Sequence, residues 1–205
     1  MKRPEKQNWV DEFSPKQLVI NVYVSQGIFI IIAGCMALIF NVTFPWSFNA
    51  QISFIYLLAA IVTGLVLPVM SIQLKNRLPS HYFDDGGINE KIFGTLSYLH
   101  IFVLTGVIAF AEEWLFRGVL QPLIGLVATS LIFSLLHVRY MKKPVLFGIV
   151  TMLSFWLGFL YEWTNTIWIP FLAHFLIDFI SGCYIARHYQ NNVDSEKGSV
   201  NPDGK

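Results

Sequence analysis

Apolar runs of about 20 residues, each closed by a short polar or turn-forming segment, organise most of this chain. A helix needs roughly that many residues to cross the hydrocarbon of a bilayer, which is about 30 Å thick. Residues 18–40, 52–74, 92–120, 123–138, 144–163 and 167–187 meet or approach the requirement, which predicts six spans. The third run is long and the fourth short. Residues 41–51, with Pro45, separate the first pair; residues 75–91 hold Pro79 and the turn Asp84-Asp85-Gly86-Gly87. Gln121-Pro122 reads as a tight break and residues 139–143 as a short basic loop. The first run exceeds the roughly 7–15 residues of a cleavable signal core, so it is expected to be retained as a span. From His188 onward hydrophobic periodicity disappears, and residues 188–205 read as a polar, disordered tail.

Composition strengthens this picture. The chain is 55% hydrophobic, 16% aromatic and 13% charged, against about 25% charged in ordinary soluble domains. A net charge of +1 offers no basic footprint, which argues against a nucleic-acid partner. The expected partner is the lipid bilayer, and the expected fold is an all-α, polytopic membrane helical bundle with about six transmembrane helices. Its parts are a cytoplasmic N-terminal segment (1–17), two membrane helices with a basic loop (18–91), a membrane core (92–187) and the tail (188–205).

Positive charge alternates along the same map. Lys2, Arg3, Lys6 and Lys16 precede the first span, and Lys75, Arg77 and Lys91 lie between the second and third. Arg139, Lys142 and Lys143 lie between the fourth and fifth, and Arg187, Lys197 and Lys205 follow the sixth. Under the positive-inside rule both termini of this multi-pass cell-membrane protein are cytoplasmic. Cys35 and Cys183 sit in apolar runs without CxxC spacing and read as small hydrophobes. Trp46, Trp163 and Trp168 fall near span ends on the opposite side, where interfacial anchoring explains them.

Chemistry enters through the ionisable residues within these runs: Glu112, Glu113, Arg117, His137, His174 and Asp178. Each costs about 2.5–3.5 kcal/mol to place at the centre of a bilayer, which marks them as a polar centre. Glu113 and Arg117 are four apart on one helix face and can pair, a bracing role. Glu112 points about 100° away, free for other work. His174 and Asp178 repeat the four-residue spacing, as do Phe133 and His137. With a turn at Gln121-Pro122, Glu112 and His137 lie roughly 15 and 22 Å from it, and His174 and Asp178 roughly 10–17 Å deep. All four groups can meet near mid-membrane. His81, His100 and His188 fit no such pattern.

Three of these stretches resemble the CPBP family of intramembrane proteases, which includes CAAX prenyl proteases and Abi-type bacteriocin-processing enzymes. Glu112-Glu113-Trp114-Leu115-Phe116-Arg117 matches its EExxxR motif, Phe133-Ser134-Leu135-Leu136-His137 its FxxxH motif, and His174-Phe175-Leu176-Ile177-Asp178 a variant of its HxxxN motif. The likeness extends over roughly residues 92–185, and the first two spans carry no matching motif. The resemblance implies an intramembrane endopeptidase in which Glu112, helped by His137, activates a water, and His174 with Asp178 stabilises the oxyanion. Glu113 and Arg117 would support them. Prenylated C-termini, secreted signalling peptides, bacteriocin precursors and membrane-anchored regulators are the substrates it suggests, in a bacterial membrane.

Asp178 departs from the family's usual asparagine, because an ionised aspartate accepts hydrogen bonds but cannot donate one. Two readings follow: Asp178 orients and charges His174, or it is itself protonated by burial. On cofactors, a water activated by glutamate alone is favoured, since no HExxH occurs. The alternative is zinc held by Glu112, His137 and His174. Two further functions compete: a non-proteolytic membrane interaction protein, conferring bacteriocin immunity or scaffolding a sensor, and a proton-coupled transporter. The transporter reading is weakened because neither inverted repeats nor paired broken helices stand out.

Overall fold

The structure is a computed structural model that describes residues 12–43, 53–79, 82–83 and 85–200. Lys2, Arg3, Lys6, Pro45, Trp46, His81, Asp84 and Lys205, named in the sequence reading, lie outside the described residues. The described chain is helical throughout its ordered elements. Five helical runs are long and apolar enough to cross a membrane.

Helix α1 (Pro15–Ile39) starts where Ser14 and Gln17 form a reciprocal capping box, with Pro15 in the first turn. Helix α2 (Phe54–Arg77) carries Pro68 in its interior and Lys75 and Arg77 in its last turn. The short α3 (Ile88–Phe93) follows the left-handed Gly86 and Gly87. Both carboxylate oxygens of Asp85 hold that turn, accepting from the backbone N–H groups of Gly87 and Asn89 at 3.0 and 3.1 Å. Helix α4 (Tyr98–Glu113) is capped by Ser97. The third span therefore begins at residue 98, and not at residue 92 as apolarity alone suggested, because the segment 94–97 turns between α3 and α4.

Beyond Glu113 the helix widens into a π-helical turn, Trp114–Leu120, and continues as α5 (Gln121–Leu136). The Gln121 N–H reaches back to the Phe116 carbonyl. Pro122 sits immediately after this widened turn. Its ring would crowd the carbonyl four residues back in a normal α-turn, which gives the wider turn a physical rationale.

The expected break at Gln121-Pro122 is displaced: residues 121–124 stay helical and the path breaks at Gly125, with φ 81° and ψ 167°. The reversal is visible in the packing, since the Phe116 and Phe133 rings lie 4.9 Å apart. At the observed hinge, Glu112 and His137 lie about 20 and 18 Å from Gly125, closer in depth than the earlier turn position implied. The return leg, residues 126–136, is about 16 Å long, half a bilayer's hydrocarbon. Both legs belong to the run Tyr98–Leu136, one of the five helical runs long and apolar enough to cross a membrane. No side chain crowds the missing Cβ of Gly125. Gly125→Ala should therefore cost about 1–3 kcal/mol through backbone strain alone. Thermal unfolding in detergent measures this.

Helix α6 (Pro144–Thr164) begins at a proline and ends at Asn165 in the left-handed conformation. Helix α7 (Trp168–Val200) runs past residue 188, where composition suggested a disordered tail. Polar composition alone does not end a helix: local side-chain bonds such as Ser195 Oγ to the Asn191 carbonyl continue along it.

Close approaches fix the bundle. A Cβ on Gly64 of α2 would collide with Leu176 of α7, and one on Gly158 of α6 with Leu126 of α5. Leu18 and Val19 at the start of α1 pack with Ile88 and Ile92 of α3. Asn89 bonds Tyr140 in the short turn Val138–Tyr140, and Gly94 touches Tyr189 of α7. These contacts bring the start of α1 with Lys16, α3 with Lys91, the turn with Arg139 and the part of α7 that holds Arg187 to one end. Large apolar side chains such as Ile31, Leu38, Phe54 and Val127 stand exposed around the outside, as expected where lipid is the solvent.

Candidate active site

The hairpin and α7 bring the sequence-selected residues into one cluster. Glu112 and Glu113 end α4, and their offset around the helix axis separates their partners. Glu113 is fully buried: Oε1 lies 2.8 Å from His174 Nδ1, and Oε2 lies 3.4 Å from Arg117 Nε. Arg117, also fully buried, donates through Nη2 to the Ser154 carbonyl at 3.0 Å and reaches its hydroxyl at 3.3 Å. Its guanidinium sits 5.2 Å from the centre of the Phe133 ring, adding a cation–π contact. A buried charge pair depends on such extra partners, because the attraction alone does not offset desolvation.

Glu112 turns the other way, into a cavity of about 290 Å³. Its Oε1 accepts from Gln26 Nε2 of α1 at 3.4 Å, and its Oε2 lies 3.9 Å from His174 Nε2. The same nitrogen is 3.5 Å from Asp178 Oδ2, one turn along α7. His174 thus has Nδ1 on Glu113 and Nε2 between Glu112 and Asp178. A hydrogen bond from Nδ1–H to Glu113 leaves Nε2 as the ring's working edge.

His137 lines the same cavity from the end of α5. Its Nδ1 sits 2.9 Å from the Phe133 carbonyl, one turn back, and its ring packs 4.7 Å from that of Phe133. Donation from Nδ1–H to the carbonyl fixes the tautomer and frees Nε2. The Phe133 ring also lies 6.4 Å from His174, forming an apolar wall between the two imidazoles. At the basic end, Asn89, Arg139 and Tyr140 line the mouth; Arg139 donates to the Tyr140 hydroxyl at 2.7 Å.

The first two spans carry no motif, yet α1 contributes Gln26 and Val22 to the cavity. A glutamine inside an apolar run was the legible signal. Ser154, the second anchor of Arg117, was equally unmarked, a small polar residue on an apolar helix. Among the described residues, no group of three or more His, Cys, Asp or Glu side chains converges to hold a metal. Glu112 Oε2 and His174 Nε2 stand 3.9 Å apart, and His137 faces the same cavity. Outside the cluster, His100 stacks on Tyr23, and His188 contacts Asn192.

Comparison with known proteins agrees with the motif reading. Residues 94–180 match the family described as Rce1-like, type II CAAX prenyl endopeptidase. A Bacillus subtilis (strain 168) protein, YpbD, itself described as uncharacterized, is 58% identical over 107 residues, covering 52% of this chain and 57% of that protein. The match thus spans little more than half of that relative's length. No solved structure matches the chain. The matched stretch, residues 94–180, contains all three motifs and every ionisable residue of the cluster, so this part of the chain is similar to an Rce1-like type II CAAX prenyl endopeptidase domain.

Proposed function

We propose that this chain is an intramembrane endopeptidase that hydrolyses peptide bonds of membrane-associated substrates with a water activated by Glu112. The observation that carries the reading is the division between two adjacent carboxylates. Glu113 is held between Arg117 and His174, at 3.4 and 2.8 Å, whereas Glu112 faces a cavity lined by His137 and His174.

In this mechanism Glu112, with His137, takes a proton from water as its oxygen attacks the scissile carbonyl. A carboxylate in a dry site is a stronger base than one in bulk water. His174 acts as the imidazolium: with Nδ1–H held by Glu113, its Nε2–H donates to the oxyanion, and donors aimed at that charge gain strength where water is excluded. Collapse of the intermediate breaks the C–N bond, and the proton held by Glu112 passes to the departing amine. Glu113 and Arg117 act as positioning residues for His174. The cavity mouth lies at the basic end, which the positive-inside rule places in the cytoplasm.

Asp178 fits the first of its two readings, a residue that orients His174 through the 3.5 Å contact. An amide oxygen can make the same contact, so Asp178→Asn should keep cleavage within about tenfold of the parent rate. Initial rates of the folded variant check this, and complete loss would show that the negative charge itself is needed.

The functional test compares membrane peptides in cells that carry the intact chain with those in cells that carry Glu112→Gln. A precursor that accumulates only in the variant identifies both activity and substrate. Identical peptide profiles, with both proteins present in the membrane, would favour the non-proteolytic interaction protein.

A further inference from the structure

Two apolar hollows lie on the lipid-facing side of the bundle, and together they form one groove. The first, about 190 Å³, lies among α2, α6 and α7; the second, about 360 Å³, lies between α2 and α6. They share Leu67, Met70, Met152 and Leu153. The groove adjoins the cavity that holds Glu112: Leu153 and Ser181 line both it and the first hollow. Leu153 thus stands as a partition between the outer groove and the candidate site.

The α2 wall is built to give way. Gly64 packs α2 tightly against Leu176, and one turn later Pro68 lines the groove. A proline inside a helix removes one backbone hydrogen bond and weakens that turn, so the segment beyond it can move about the pinned upper half. Met70 and Met152 face the groove with unbranched, polarizable side chains that adapt to varied apolar shapes.

We propose that this groove receives an extended, apolar peptide segment of the substrate, entering sideways from the bilayer and passing Leu153 to reach Glu112. The proposal rests on the endopeptidase reading and deepens it by naming the substrate as a membrane-embedded peptide. Two features favour a peptide over a plain hydrocarbon chain. A helical segment must open its carbonyl hydrogen bonds before hydrolysis, and in hydrocarbon each freed backbone group needs a partner. Ser71 on α2 and Ser181 on α7 supply hydroxyls in an otherwise apolar wall, with Ser181 at the junction. An alkyl chain has no use for them.

The test uses the full-length protein in bilayers with Glu112→Gln to retain uncut substrate. A membrane peptide bearing a diazirine leucine analogue in its apolar segment should crosslink chiefly to residues 67–74 and 149–156. In the parent protein, Met70→Trp and, as a second variant, Met152→Trp should lower the ratio of membrane-peptide to short soluble-peptide cleavage at least tenfold. Crosslinks confined to the mouth around Arg139 and Tyr140, or an unchanged ratio in both folded variants, would overturn lateral entry. Stronger capture of a diazirine-labelled alkyl chain than of the peptide would reassign the groove to a lipid. Groove crosslinks without any cleavage by the parent protein would instead defeat the hydrolase reading and leave the binding groove standing.

Discussion

Glu112→Gln should stop hydrolysis, lowering the rate by at least about a thousandfold, roughly 4 kcal/mol of transition-state stabilisation. The replacement keeps side-chain length, and its amide oxygen can still accept from Gln26 Nε2, which now reaches Oε1 at 3.4 Å. What it loses is the capacity to take a proton from water and return it to the departing amine. The neighbouring carboxylate cannot substitute, because Glu113 points away and is held by His174 and Arg117. Initial rates on a membrane peptide, alongside a thermal unfolding curve, separate lost chemistry from lost folding. A variant that remains active at a tenth of the parent rate would remove Glu112 from the role of base.

The second large effect is on stability. Arg117→Ala should destabilise the bundle by about 3–5 kcal/mol, because it leaves the buried Glu113 carboxylate without its counter-charge. It also abandons the Ser154 carbonyl and hydroxyl and empties space beneath Phe133. Arg117→Lys keeps the charge but lacks the fork that serves Glu113 and Ser154 together, so an intermediate loss is expected. The pair replacement Glu113→Gln with Arg117→Met should recover much of the stability, since an apolar substitute avoids desolvating two charges. It should not recover activity, because the ionised partner of His174 Nδ1 is gone. This split between unfolding temperature and cleavage rate distinguishes a positioning pair from a purely structural one. Equal recovery of both would leave Glu113 no part in orienting His174.

Much of this was legible in the residues themselves. The 100° offset between adjacent helical positions was enough to assign Glu113 to Arg117 and free Glu112 for the cavity. The four-residue spacing of His174 and Asp178 foretold a contact that the structure contains at 3.5 Å. Other features were hidden because their cause is not local. Gly125 carries the reversal, although Gln121-Pro122 offers the stronger turn signal, because the π-turn absorbs the proline upstream. Gln26 and Ser154 acquire meaning only once α1 and α6 are packed against α4. The continuation of α7 beyond residue 188 escaped a reading based on hydrophobic periodicity, which senses burial better than helicity.

The widened turn at Trp114–Leu120 has a consequence for how this centre tolerates change. A π-turn is equivalent to one surplus residue lodged in an α-helix. The widened turn takes up that surplus, so Glu112 and Glu113 keep the facing relative to the following helix that an unbroken helix one residue shorter would give them. A further residue inserted between Glu113 and Gly125 has no such outlet and would turn both acids together by about 100°, carrying Glu112 away from the hollow. The stretch thus tolerates one extra residue because the backbone, and not the facing of the acids, absorbs it.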